Sequence, residues 1–331
     1  MDFVTLDDGD FTYGVADEIL PGVSRVIAHN PSKFTYRGTG VYILGSDDDV
    51  AVIDPGPDLA DHRNALATAL DGRNVRSILV THCHADHSPL AAWLAAESGA
   101  PTYAYGPHAG NVDEWDIGVL PDDFGRAPEP EPGSPEAEAA ATEPKVEEST
   151  DFDFTPDVEV RSGDVVFEVP GLTVTALHTP GHTSNHTCFA LDSDAAGKVL
   201  FTGDHVMGWS TTVVSPPDGH MGDYISSLRT VAGRSDAVAI PTHGAPIPDP
   251  ARFVGDLVAH RLDREAQVLA AVRRGLSTIP EMVTDLYAAV RIELHRPAGA
   301  SVLGHLVKLV DDGAVVASSG RPRLDASYAA A

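Results

Sequence analysis

Cysteine is scarce in this 331-residue chain: Cys83 and Cys188 are the only two, too few for a disulfide framework and in keeping with a reducing compartment. No stretch approaches the roughly 18–20 consecutive apolar residues that a membrane span requires. The opening residues, MDFVTLDDGDF, are acidic and lack both the basic and the apolar parts of a secretory signal, so a cytoplasmic location is expected. Basic residues are also few. The formal net charge is −27, which argues against a surface built to wrap nucleic acid. The deficit is uneven. Ala251 to Ala331 holds ten Lys/Arg against nine Asp/Glu, a net of +1, which leaves −28 on the first 250 residues. Asp113 to Glu159 alone carries sixteen acids against Arg126 and Lys145, a net of −14.

What the chain does have is length for about two domains and regular hydrophobic patterning over most of it. Val41–Gly45 and Val50–Gly56 read as two strands of a hairpin with an acidic turn, followed by a helical stretch over Leu59–Leu70. Ser77–His82 reads as a buried strand and Pro89–Glu97 as an alanine-rich helix. Leu172–Leu177, Thr187–Leu191, Val199–Thr202 and Ala237–Ile240 are strand-like, with a helix over Gly222–Ala232. Between these blocks, residues 113–159 form an acidic, partly disordered insertion whose centre is rich in Pro, Glu and Ala. Such a composition buries too little apolar surface to offset its ordering entropy. From about residue 250 the texture turns helical. Phe253, Leu257, Leu262, Leu269 and Val272 recur at near-helical spacing. Thr278 and Glu281 fit a capping box with Pro280 in the first turn, and a third helix over Ser301–Val310 ends before Gly313. The expected domains are 1–250 and 251–331.

The chemistry is concentrated at strand ends. Thr81–His87, THCHADH, follows an apolar strand and packs His82, His84, Asp86 and His87 into six positions. Residues two apart in extended backbone point the same way, so His82 and His84 reach one metal while Asp86 and His87, on the next turn, reach a second. His182, Asp204 and His243 each follow another apolar strand and sit beside a glycine. One metal would take His82, His84 and His182; the other Asp86, His87 and His243, with Asp204 bridging. Two metals about 3.5–4 Å apart hold a hydroxide and bring its pKa towards ~7, and Asp86 would orient it and accept its proton. A single histidine is more often structural than a ligand, but three histidines and an aspartate in six residues would otherwise put several costly polar groups into one pocket. Zinc suits so many imidazoles, while the carboxylates leave iron or manganese open.

These blocks, HCHADH followed by TPGH, TGD and THG, resemble the metallo-β-lactamase superfamily over roughly residues 20–247. The resemblance implies an α/β (α+β) fold, a four-layer αββα sandwich with two divalent metals at one edge. It also implies that Asp204, where zinc β-lactamases generally carry a cysteine, is the bridging aspartate of binuclear hydrolases. The pattern after residue 250 resembles the C-terminal winged-helix-like domain of the beta-lactamase-like protein 2 group, which is linked to endonucleolytic cleavage of single-stranded RNA. Asp54, in IDPG, resembles the strand-end aspartate that supports the metal-binding loop. His186 and His205, with His178 and His220, are candidates for contacting substrate or fixing ligand tautomers. Cys83 alternates away from its histidine neighbours and is expected in packing; Trp209–Thr212 is a candidate for the substrate entrance. The functional expectation is a binuclear hydrolase acting on an ester, thioester or other small molecule. The alternatives are an endoribonuclease on single-stranded RNA and a non-catalytic binding protein.

Overall fold

The computed structural model describes residues 2–45, 48–108, 115–125 and 149–331. The centre of the acidic stretch, 126–148, lies outside the described residues. Its flanks belong to folded structure. Trp115, Ile117, Leu120 and Phe124 pack in one hydrophobic core and Phe154 in another, and Thr150 forms a β-bridge with His84.

The chain forms two compact units. The first comprises Met1–Gly110, Glu148–Thr212 and Asp223–Val258; the second comprises the described residues of Asn111–Glu147 with Val213–Gly222 and Ala259–Ala331. The second unit thus draws on three separated segments, whereas a boundary near residue 250 supposes a single cut.

Two sheets build the first unit. One runs in the order β1 (Asp17–Leu20), β2 (Val23–Ile27), β3 (Gly40–Gly45), β4 (Asp49–Ile53), β5 (Asn74–Leu79), β6 (Thr102–Ala104) and β7 (Val158–Glu159). The other runs β13 (Ile247–Pro248), β12 (Val238–Pro241), β11 (Gly197–Gly203), β10 (Thr187–Ser193), β9 (Leu172–His178) and β8 (Val165–Val169). The alternation of side chains along each strand decides the layers. Tyr42, Leu44, Ala51 and Ile53 turn towards Val174, Phe189, Leu191 and Phe201 of the other sheet, in one core. Val41, Ile43, Val50 and Val52 turn the other way, onto α1 (Ala60–Ala69) and α2 (Leu90–Ser98) through Leu66, Ala91 and Leu94. Each large side chain so buried contributes roughly 1.5–3 kcal/mol. Helix α3 (Met221–Ala232) connects the parallel pair β11 and β12, a crossover that sets it on the outer face of that sheet. This is the four-layer αββα arrangement.

Two parallel neighbours fix where chemistry can occur. The connections from β4 to β5 and from β11 to β12 both cross over through a helix, so the C-terminal ends lie together within each pair, and contacts such as Thr242 to Asp54 bring the two edges together. The segments leaving β4, β5, β9, β11 and β12 carry Asp54, Thr81–His87, His182, Asp204 and His243.

Helix α4 (Pro250–Arg273) contains Ala259, the residue at which the last segment of the second unit begins. In that unit, α5 (Ile279–Leu286) is capped by Thr278, whose side chain accepts from the Glu281 N–H while the Glu281 carboxylate accepts from the Thr278 N–H. Helix α6 (His295–Asp311) starts six residues before the expected Ser301. Pro297 sits harmlessly in its first turn, and Gly299 is there because a Cβ would come within 2.9 Å of the Leu120 side chain. The hairpin of β14 (Val315–Ala317) and β15 (Tyr328–Ala330) completes the unit. No helix among the described residues is long and apolar enough to cross a membrane.

Candidate metal centre

The seven residues singled out in the sequence converge. The ligand atoms of His82, His84, His182 and Asp204 lie within 4.8 Å of one another, and so do those of Asp86, His87 and His243. In the first group, His84 Nδ1 is 2.9 Å from His82 Nε2 and 3.2 Å from His182 Nε2. In the second, Asp86 Oδ2 is 3.2 Å from His243 Nε2 and 3.4 Å from His87 Nε2. Asp204 faces both: Oδ1 is 3.4 Å from His243 Nε2 and 3.7 Å from His87 Nε2, while Oδ2 is 3.9 Å from His182 Nε2.

Groups behind the cluster decide which way each ring presents its lone pair. Asp54 is fully buried and left-handed, at φ +49°. One carboxylate oxygen accepts from the Thr81 N–H at 2.8 Å. The other accepts from the Thr81 hydroxyl at 2.8 Å, from His87 Nδ1 at 2.9 Å and from the Thr242 hydroxyl at 3.3 Å. Because a carboxylate only accepts, His87 carries a proton on Nδ1, so Nε2 is the nitrogen it turns inward and can offer to a cation. The Thr81 hydroxyl, having donated to Asp54, accepts from His82 Nδ1 at 3.0 Å. The Gly38 carbonyl accepts from His243 Nδ1 at 3.1 Å. Three rings are thus fixed in the tautomer that offers Nε2 to the centre, the arrangement found around metal-ligating histidines.

Charge is sorted across the cluster. Burial pushes the imidazolium forms of His82 and His84 down, His84 to about 3, and the neighbouring histidines push further. Burial works against charge on His87 and His243 too, but Asp86 and Asp204 outweigh it and raise both, His243 to about 10. Burial likewise opposes ionisation of Asp86 and Asp204, and the facing histidines hold both carboxyls below the usual range. Positive charge is drawn to the point between His87, His243, Asp86 and Asp204. His87 Nε2 and Asp204 Oδ1 are buried there without a hydrogen-bond partner. Such groups are costly unless something satisfies them, and a divalent cation fits this donor set. The residues present therefore fit the metals that the sequence implies.

The remaining candidates separate. His186 is fully buried, its ring 5.3 Å from that of His82, with Nδ1 2.9 Å from the Thr179 hydroxyl. Its Nε2 lies where a Cβ at Gly203 would stand, 2.6 Å away, which explains the glycine before Asp204. His205 is buried between His186 and Tyr224, its ring 5.8 Å and 5.0 Å from theirs, and burial pushes it down to about 3. His178 stacks on Tyr105 at 3.7 Å, away from the cluster. His220 bonds to Asp311 at 3.1 Å, both in the second unit. Cys83 is buried and receives the Asn185 amide at 3.1 Å, a packing role. Trp209 stacks on Tyr36 at 4.8 Å and packs against Gly244, the residue after His243, while the Thr212 hydroxyl donates to the Asp204 carbonyl at 2.8 Å.

Sequence reasoning missed Gly38 and Thr39. The Thr39 hydroxyl donates to Asp86 Oδ2 at 2.8 Å. The only local signal is the small-residue run RGTG, Arg37 to Gly40, which carries no ligand chemistry of its own.

Comparison with known proteins agrees with this geometry. The sequence model of the metallo-beta-lactamase superfamily matches residues 35–243, and that of the beta-lactamase associated winged helix domain matches residues 278–321. An atrochrysone carboxyl ACP thioesterase of Aspergillus novofumigatus (strain IBT 16806) is 28% identical over 320 residues, 90% of this chain and 82% of that protein. A lactamase-like protein of Aspergillus niger is 27% identical over 315 residues, 89% of this chain and 82% of its own. Among solved structures, a beta-lactamase domain protein from Burkholderia ambifaria superposes with a TM-score of 0.70 at 22% identity, covering 99% of this chain and 97% of that one. A metallo-beta-lactamase family protein from Thermus thermophilus gives 0.67 at 24% identity, covering 95% and 100%.

Proposed function

This chain belongs to the metallo-beta-lactamase superfamily and is a metal-dependent hydrolase, and from that premise we propose that its centre is binuclear and its substrate a thioester. The single observation carrying the binuclear reading is the split of Asp204. Its Oδ1 addresses the His87 and His243 rings, and its Oδ2 addresses His182. One metal would be held by His82, His84, His182 and Asp204, the other by Asp86, His87 and His243, with Asp204 within reach of both. Five imidazoles and two carboxylates suit zinc and also admit iron or manganese. The thioester reading draws on the relatives, several of which are named as ACP thioesterases.

When bound, a divalent pair lowers the pKa of a water and polarises the substrate carbonyl. The chain's own residues do the rest. Asp86 keeps 23% of its side chain exposed, so it meets water directly and can take up the proton that the attacking water gives up. Asp54, Thr81 and Gly38 hold the rings in register while charge moves through the centre. As the carbon–sulfur bond breaks, the proton held on Asp86 passes to the departing sulfur. The products are a carboxylic acid and a thiol.

The test is hydrolysis of a short-chain acyl thioester, read by thiol release, with wild type and Asp204→Ala. A labelled single-stranded RNA is run beside it and bound metal is assayed in parallel. Thioester turnover that disappears on chelation and falls by at least about 100-fold in Asp204→Ala, with the circular dichroism unchanged, supports the reading. Metal-dependent cleavage of the RNA with no thioester turnover would replace it, and near-wild-type activity in Asp204→Ala would end the two-metal mechanism.

A further inference from the structure

We infer that Thr39 is a positioning residue that orients Asp86 through a relay of fixed direction, and that it thereby sets the metal affinity of the Asp86/His87/His243 half alone. The inference rests on the ligand assignment proposed above and concerns residues that assignment leaves out.

The relay can be read atom by atom. The Thr39 backbone N–H can only donate, and it lies 2.9 Å from the side-chain oxygen of Asn30. That contact fixes the amide orientation, so the atom 3.0 Å from the Thr39 hydroxyl is the Asn30 nitrogen, which can only donate. The hydroxyl therefore accepts from Asn30 and must send its own proton onward. The atom in its path is Asp86 Oδ2, at 2.8 Å. Thr39 is fully buried, so water does not compete for the bond.

The segment carrying Thr39 is itself held. The Ala28 N–H donates to the Thr39 carbonyl at 2.8 Å, and the Thr35 hydroxyl donates to the Asn30 carbonyl at 2.5 Å. Gly38 has φ +119°, and a Cβ there would lie 2.1 Å from the Ala28 carbonyl oxygen, so only glycine lets the chain approach so closely. From that position, Gly38 and Thr39 reach the cluster as a pair. The carbonyl of one takes His243 Nδ1 and the hydroxyl of the other holds Asp86 Oδ2. With Asp54 behind His87, every member of this half is gripped from outside. The side-chain bonds of Thr39 run to Asn30 and Asp86 rather than to His82, His84 or His182, so the effect is confined to one half.

The experiment is a zinc titration of the metal-free protein against a chromophoric chelator, for wild type, Thr39→Val, Thr39→Ser and Asp86→Ala. Wild type takes up two equivalents. Thr39→Val keeps the side-chain volume and removes the hydroxyl, and one equivalent should weaken by about 10–100-fold while the other holds. Thr39→Ser should restore it, because serine keeps the donor. Asp86→Ala identifies the affected equivalent by abolishing the same one. Wild-type affinity at both equivalents in Thr39→Val, or an equal loss at both, overturns the inference while leaving the ligand assignment standing. Two intact equivalents in Asp86→Ala overturn the ligand assignment and this inference with it. Where Thr39→Val does not fold, Asn30→Ala removes the donor that aims the hydroxyl and is judged by the same criteria.

Discussion

Asp54→Asn changes one atom behind the cluster, and the structure dictates a conflict that no rotation of the new side chain resolves. Asp54 accepts from the Thr81 N–H through one oxygen and from His87 Nδ1 through the other. Asparagine offers one acceptor and one donor. If its nitrogen faces His87, Nδ1 must become the acceptor. The proton then moves to Nε2, which points at the centre and can no longer serve as a ligand. If its nitrogen faces Thr81 instead, two donors confront each other and a buried backbone N–H is left unsatisfied. The second outcome costs about 1–3 kcal/mol of folding stability. The first weakens metal binding in the Asp86/His87/His243 half by about 10–100-fold, which is about 1.4–2.8 kcal/mol. Zinc competition and urea unfolding of the metal-free chain measure the two, and at least one must fall. Wild-type zinc affinity together with a wild-type urea midpoint would refute the derivation of the His87 tautomer from Asp54.

Two further outcomes follow from packing and burial. Gly181 has φ +137°, and a Cβ there would lie 2.3 Å from the Tyr224 Cα. Gly181→Ala is therefore expected to cost upwards of about 1–3 kcal/mol and to displace His182; a melting temperature and zinc stoichiometry equal to wild type would contradict this. His305, in α6, is fully buried with neither ring nitrogen hydrogen-bonded, and burial, then Arg261, Arg264, His260 and Lys308, push it down to about 3. An unfolded histidine titrates near ~6.5. Above that pH neither state is protonated at this site and stability is fully present. As pH falls towards about 3, the unfolded chain takes a proton that the fold refuses, and about 1.4 kcal/mol is lost per pH unit. His305→Leu should flatten that part of the acid slope, and urea midpoints at pH 7 and pH 5 read it. Equal slopes in wild type and variant would remove His305 from the account.

Much of the molecule was legible from the chain. The alternation of Val41–Gly45 and Val50–Gly56 predicted a hairpin, and β3 pairs with β4 antiparallel from Tyr42–Ile53 to Gly45–Val50. The capping box at Thr278 is present atom for atom. Short elements gave weaker signals. β6, β7 and β13 have two or three residues each, too few to establish a period, and they are strands because a neighbour offers hydrogen bonds. α6 begins earlier than its sequence suggests because Pro297 and Gly299, both poor helix formers, mask the helical signal of its first turns.

The sequence by itself determined the reaction class, a metal-dependent hydrolase, since imidazoles and carboxylates clustered at apolar strand ends have few uses other than holding a cation. His82, His84, Asp86, His87, His182, Asp204 and His243 stand out as candidates without coordinates, and the fold brings their ligand atoms together in two groups. Tertiary structure alone decided how those groups are aimed. The split of the Asp204 carboxylate between two sets of rings, the tautomers imposed by Asp54, Thr81 and Gly38, and the hold of Thr39 on Asp86 across 47 residues depend on strand register and a tight loop. The supporting atoms are a backbone carbonyl, threonine hydroxyls and a single carboxylate, groups found everywhere in a chain. Only their placement within about 3 Å of a ring nitrogen or carboxylate oxygen makes them specific, and that placement is a property of the fold.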